Sequence, residues 1–528
     1  MKRGIGLQDL ALMLMAAMLL AGTMARAQTS SAPGARDDQI SAIHDLREQV
    51  QQLRSLVQAM RSDEAQYHAQ TEELRQELQA TRSQMAALQS SLTNAAGPAP
   101  ANAETAAESA AKAGSSPLPL EDRVTSLEES TQMLAGKVDE QYQTKVESAS
   151  KYRVRLSGIV LLNLFSNRGS TDNQDFPSYV PQPTSANANG NFGATMRQSE
   201  IGLEIFGPHL AGARVTGNLQ ADFAGGFPYI TNGVNSGIFR LRIASLRMDW
   251  GNTSVVAGQD DLFLSPLSPT SFASLAVPAL SYAGNLWAWT PQVRVERRFT
   301  LPNEQKITLQ AGFLDNLSGA PPYTQSYRSP DPGERSSQPG YGLRTSWTGN
   351  VLGRTVTLGT AGYYGRQDWG FNRHVDGWAG MADAAIPLTA RLTLSGEFYR
   401  GRAIGGLGGG LGRSVLFSGN PLDPATQILG LNSIGGWSGL KFKANAKLEF
   451  NGAFGLDDPF IQDLRFFPAG QSYINPNLAQ NRSGLVNFIY RPRSNLVLST
   501  EYRRLHTSEV ISDSYSSSQV NMVMGVLF

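Results

Sequence analysis

The sequence predicts an all-β transmembrane barrel of about sixteen antiparallel strands preceded by an α-helical coiled coil. Three observations carry this. From Tyr152 onward apolar and polar residues alternate with period two. Across residues 43–92 the apolar residues recur at spacings of three and four. Residues 520–528 place Val520, Met522, Met524, Val526 and Phe528 at every second position. Residues two apart in a strand share a face, whereas a three-four spacing marks one narrow seam of a helix.

Composition narrows the class. With Gly 53, Tyr 16, Phe 22 and Trp 7 in 528 residues, the chain does not read as disordered. A barrel has a polar average even in a membrane, because lipid-facing and lumen-facing residues alternate along every strand. Cys 0 rules out disulfides and thiolate sites, and a net charge of +1 without a basic tract argues against a nucleic-acid partner.

The elements follow in order. Residues 1–27 read as a signal peptide, with Lys2 and Arg3 before an apolar core at 10–21 and Ala25-Arg26-Ala27 as the cleavage site. That core, about twelve residues, falls short of the roughly twenty that span a bilayer. Residues 28–92 form a coiled coil, one seam position being Ile43, Val50, Val57, Glu64, Thr71, Leu78, Met85 and Leu92. So narrow a seam must be buried by a second helix. Ile and Val opposite Leu suit a dimer in isolation, while a barrel context favours a trimer. An Ala/Pro/Gly/Ser linker occupies 93–119 and a short second coiled coil 120–145, with the barrel at 150–528.

Strands are expected near 152–166, 194–206, 212–224, 237–250, 253–259, 291–301, 306–315, 340–348, 352–364, 375–386, 390–402, 433–442, 445–456, 482–491, 495–505 and 518–528. Short connections such as Gly251-Asn252 alternate with long ones, which is the asymmetry of periplasmic turns and outer loops. A soluble β-sandwich also alternates, but it does not need that regular change of connection length. Phe528, Val526 and Met524 resemble the C-terminal sorting signal of outer-membrane barrels.

The bore of such a barrel must be narrowed by something. The connection 260–291 is the candidate, beginning at Asp260 and Asp261 and carrying Phe272, Trp287 and Trp289, more apolar than an exposed loop should be. It is either a constriction loop or a subunit contact. Strand phase places Arg155, Arg214, Arg294, Arg298, Lys306, Arg344, Arg391, Lys441, Lys447 and Arg503 on the lumen side, a small basic excess over Glu200, Glu204, Asp222, Glu296, Glu397, Glu449 and Glu501. Arg240 and Arg242 share parity with the lipid-facing Leu246, Met248 and Trp250, so a bulge near Ala244 is expected to put both on the lumen side. The five histidines show no catalytic or metal-ligand spacing, so neither enzyme activity nor a cofactor is expected.

Several segments resemble trimeric porins with N-terminal coiled coils, of the DcaP type: Leu156-Ser157-Gly158 at the barrel's opening, Arg197-Gln198-Ser199-Glu200-Ile201-Gly202-Leu203, Asp222-Phe223-Ala224-Gly225-Gly226, and Phe239-Arg240-Leu241-Arg242 followed by Ala257-Gly258-Gln259. The related phosphate-selective porins share that layout. The resemblance implies passive uptake of small, often anionic solutes through three parallel pores, with Arg240 and Arg242 on the anion path. The lysine-rich ladder of the phosphate-selective members is missing here. The expectation is a homotrimer in the outer-membrane bilayer, its coiled coil in the periplasm supporting trimerisation or contacting peptidoglycan or another periplasmic partner. The alternative is a structural envelope tether whose barrel mainly anchors it.

Overall fold

The computed structural model describes residues 145–146, 153–226, 237–319, 328–467, 478–511 and 513–528, all within the unit Leu118–Phe528. The expected signal peptide, the coiled coil at 28–92, the linker and the second coil up to residue 144 lie outside the described residues.

Sixteen antiparallel strands form one closed sheet. They are β1 (Arg153–Arg168), β2 (Asn191–Thr195 and Glu200–Leu210, one strand in two pieces), β3 (Ala213–Asp222), β4 (Arg240–Asp249), β5 (Thr253–Asp261), β6 (Trp289–Thr300), β7 (Lys306–Leu314) and β8 (Gly340–Val351). The second half continues with β9 (Arg354–Asp368), β10 (His374–Pro387), β11 (Leu392–Arg402), β12 (Asn432–Lys443), β13 (Leu448–Pro459), β14 (Leu478–Arg493), β15 (Leu496–Glu509) and β16 (Ser514–Leu527). Each strand pairs with its neighbours in sequence, and β16 closes the barrel on β1 from Ile159↔Leu527 to Arg168↔Ser518. Beyond that seam the free edge of β1 is occupied by Lys145–Val146, paired with Arg155 and Val154. Pairing therefore begins before residue 150, and residue 145 is strand rather than the end of a helix. Phe528 completes the seam by exchanging both backbone hydrogen bonds with Gly158, at 2.9 and 3.1 Å.

One end of the barrel carries tight turns such as 211–212, 352–353 and 494–495, and the other carries long connections such as 262–288 and 403–431. The outer surface is apolar, the inner surface polar. Val520, Met522, Met524, Val526 and Phe528 all face outward and are exposed, while the intervening Asn521 and Val523 are buried inside. A row of directly paired rings, Phe313, Tyr341, Tyr364 and Trp378, crosses β7 to β10 on the outer face. Water would gain nothing from such a surface, whereas a bilayer requires it: the backbone is fully paired within the closed sheet, and rings of this kind sit at the membrane interface.

The structure departs from the sequence reading at the loop-bearing end. There β9, β14, β15 and β16 extend past their expected limits, to Asp368, Leu478, Glu509 and Ser514. Apart from Leu478, Ala479 and Tyr515 these extensions hold polar residues and glycine on both faces, so they carry no apolar alternation to read. Expected as continuous, β2 is interrupted at 196–199. Arg197 turns inward there to form an ion pair with Asp175 at 2.5 Å and lies over Phe176 at 4.5 Å.

Candidate functional site

The inward faces of the strands divide into a covered part and a wet part, and the division is made by the loop between β5 and β6. Leu262, Phe263, Leu264, Leu286 and Ala288 pack with Leu314, Tyr363, Met381 and Tyr399 on the inner side of β7, β9, β10 and β11. Phe272 and Leu275 cover a second apolar patch made by Ile159, Leu161, Ile489, Val497 and Val523. Ala279, Leu280 and Ala283 cover a third, against Trp437 and Leu485. These wall residues point inward and are apolar because they are sealed by loop rather than wetted.

Polar side chains on the wall fix the loop's backbone between those patches. Glu397 accepts from the Ser265 hydroxyl at 2.6 Å and the Leu267 N–H at 2.8 Å. Glu501 accepts from the Ser271 hydroxyl at 2.5 Å, and Asn487 donates to the Thr270 carbonyl at 2.9 Å. Gln198, turned inward at the break in β2 and buried, accepts from the N–H groups of Leu275 and Ala276 at 2.9 and 3.1 Å. Buried donors left without such acceptors would each cost about 1–3 kcal/mol. The loop is thus seated all along its length.

Its tightest approach is at Gly284, which has φ +92° and lies against the backbone of Gly436 and Leu456, so that a Cβ there would sit 2.2 Å from the Gly436 carbonyl. Gly284→Ala is expected to lift the loop off β12 and β13. Limited proteolysis of the folded barrel should then cut within 262–288 faster than in the unaltered protein, and an unchanged cleavage rate would contradict this seating.

A second connection, 403–431, also packs inward, with Ile404, Leu407, Leu411 and Arg413 buried and the Leu407 carbonyl accepting from the Trp287 N–H at 3.1 Å. Sequence reasoning missed it. The available signal is 404–412, where isolated Ile and Leu alternate with glycines. Large apolar groups on so little side-chain bulk suit a backbone pressed against other backbone.

The wet part lies along β2 to β6. A polar cavity of about 430 Å³ is lined there by residues including Glu204, Thr216, Asn218, Gln220, Arg247, Asp260 and Arg294. Nearer the loop end a second space of about 530 Å³ is bounded by Asp172, Arg197, Gly225 and Arg240 among others. Arg240 lines the second space and Arg294 the first. The strand carrying Arg240 and Arg242 has the expected bulge, two residues from the expected place: Gln220 pairs with Ile243 and Ala221 with Leu241, leaving Arg242 as the extra residue. Both arginines consequently share the inner side with Arg247 and Asp249 below.

The wall is charged in both signs. Arg240 meets Asp222 at 2.6 Å, and Arg242 is ion-paired with Glu200 and lies 3.8 Å from Asp222. Both guanidinium groups stand over the Trp289 ring, at 4.9 and 4.6 Å, an attraction worth about 0.5–2 kcal/mol each. Arg294 bonds Asp260 at 2.8 Å and Glu296 at 3.1 Å, and Arg298 bonds Asp249 at 2.9 Å. Toward the turn end Arg155 pairs with Glu204 at 3.0 Å and Arg214 with Asp249 at 3.7 Å.

The structure therefore brings together Arg240, Arg242, Trp289, Arg294, Arg298 and Asp260. Asp261 pairs with Trp289 across β5 and β6, and Trp287 packs edge-on against Trp289 at 5.1 Å. Phe272 is elsewhere, on the wall of β1 and β14 to β16. Arg344 is separate as well, buried in a two-pronged pair with Asp383 at 2.8 and 3.0 Å. Val526, Met524 and Phe528 lie on the outer face at the closing seam. Among the described residues no group of three His, Asp or Glu side chains converges as a metal site.

Neither a protein-family model nor a curated protein matches the sequence. Solved structures do match in shape. The outer-membrane channel DcaP of Acinetobacter baumannii is 17% identical with a TM-score of 0.53, over 72% of this chain and 99% of that one. An anion-selective porin from Comamonas acidovorans is 12% identical with a TM-score of 0.44, over 72% and 100%. OprB of Pseudomonas putida is likewise 12% identical with a TM-score of 0.44, over 75% and 97%. The first of these likenesses establishes the shared fold.

Proposed function

We propose that the chain forms an outer-membrane channel through which small hydrophilic solutes diffuse passively, with anions mildly preferred. The supporting observation is the orientation of the wall's ion pairs. Arg240 is 25% exposed and its partner Asp222 0%; Arg247 is 35% exposed against 9% for Glu296, and Arg214 67% against 19% for Asp249. With the carboxylate behind and the guanidinium toward water, a passing anion meets donors first. The order is reversed for Arg242 with Glu200 and Arg294 with Asp260, so the preference is mild.

In this reading the loop 262–288 is the constriction, the loop-bearing end faces outward, and the turn end faces the periplasm. The heptads of 28–92 and 120–145 would hold three barrels together or space them from the cell wall. Phe528, Val526 and Met524 would serve as the sorting signal. Planar-bilayer recording of the purified full chain tests the channel: ion-conducting steps are expected, with a reversal potential of anion-selective sign in a KCl gradient. A barrel that passes no ions would leave the tether reading standing.

A further inference from the structure

The bore-facing arginines of β3, β4 and β6 are paired with carboxylates, but the arginines on the outer face of the closing seam are not. Arg168 on β1, Arg482 on β14, and Arg504 and His506 on β15 have outward parity, being flanked by the buried Asn167, Ser483, Arg503 and Leu505. The register places them together. Arg504, Ser518 and Arg168 stand directly opposite one another across β15, β16 and β1. Arg482, His506 and Ser516 form the adjoining row toward the loop end. Neighbouring strands are about 4.8 Å apart, so Arg168 and Arg504 are about 10 Å apart across the single strand between them.

Three arginines so close repel one another, and among the described residues none of the three has a carboxylate in ion-pair range. Their protein contacts are with hydroxyls: Arg504 donates to Ser518 at 2.8 Å, and His506 bonds Ser516 at 2.8 Å. Tyr502 donates to the same Ser518 at 3.3 Å, marking the level where the polar rim ends. In the next outward-facing rows of the same strands stand Val486, Tyr502, Val520, Phe488 and Met522, an exposed apolar stripe. A cationic cluster directly above hydrocarbon-facing side chains matches a molecule with phosphates at one end and acyl chains at the other.

We infer that this face binds a phosphorylated glycolipid of the outer leaflet, its phosphates held by Arg168, Arg482, Arg504 and His506 and its acyl chains laid along the stripe beneath. The inference requires the barrel to stand in a bilayer with its loop end outward, but not any particular solute or selectivity.

The full chain folded in detergent would be titrated with bisphosphorylated lipid A, with the same lipid after enzymatic removal of its phosphates, and with inorganic phosphate. Retention of the bisphosphorylated lipid through gel filtration, read by native mass spectrometry, is expected. The dephosphorylated lipid should be retained at least tenfold less, and millimolar inorganic phosphate should not displace the bound lipid. The variant R482Q/R504Q should lose retention at least tenfold while keeping its single-channel conductance, which shows that the barrel is intact and separates this result from failure of the channel reading. Arg168→Gln, on the opposite side of β16, should give a smaller loss in the same direction. Equal retention of the dephosphorylated lipid, displacement by free phosphate, or undiminished retention in the double variant would each overturn the assignment. So would a change of oligomeric state in the variant without loss of lipid, which would make this face a contact between copies of the chain.

Discussion

Replacing Arg240 and Arg242 together by alanine is expected to turn the channel's selectivity toward cations. The two guanidinium groups offset Asp222 and Glu200, which remain on the wall when they are gone. At an effective dielectric of about 40 and a distance of about 8 Å, one unit charge is worth about 1 kcal/mol to a passing ion, roughly fivefold in its local concentration. The anion-to-cation permeability ratio should therefore fall roughly fivefold or more, read as a shifted reversal potential in a KCl gradient. Raising the salt should shrink the shift, because the wall is wet and screened over a Debye length. A ratio unchanged in the double variant would mean that ions pass elsewhere. The Trp289 ring, left without both its cations, supplies a second readout through its fluorescence.

Shortening the loop between β5 and β6 is expected to enlarge the pore. Replacing residues 265–285 by a brief Gly/Ser connection removes what covers the inner faces of β1 and β12 to β16. A sixteen-stranded barrel without that filling has the cross-section of an open aqueous channel, so conductance should rise about twofold or more. The strands close through their own pairing, and the barrel should still assemble. Its thermal midpoint should fall, since Ile159, Leu161, Trp437 and Leu485 would then face water. The double substitution Glu397→Ala and Glu501→Ala provides the milder case: the loop remains but loses two anchors, and the recording should become noisy rather than uniformly larger. An unaltered conductance in the shortened form would show that this loop does not limit flow.

Strand number, order and phase were legible because lipid on one side and water on the other force a two-residue period, and that period survives in single sequences. Even the fault in the period at Arg240 and Arg242 could be read, because two incompatible parities on one strand admit an extra residue as the remedy. The loop 262–288 announced itself by Phe272 and Trp287 where polar residues were due. Its contacts could not be read: nothing in local spacing brings Glu397 to Ser265 or Gln198 to Leu275, which meet only when the barrel closes. Counting charges by parity suggested a basic excess, whereas the wall residues of β2 to β6 are arranged as mixed pairs, and exposure rather than count separates the signs. Arg344 looked like the other arginines in sequence and is a buried structural pair with Asp383, because β8 and β10 lie where the loops fill the bore.

The surplus residue in β4 makes the electrical character of the passage depend on chain length as well as on chemistry. Losing Arg242 alone would restore an even pleat while leaving Arg240 opposite Asp222 on the water side and Leu241 toward the acyl chains, and Glu200 would lose its partner. A frame-preserving deletion of that single codon would thus take one cation off the wall while every other residue of the strand keeps its partner and its face.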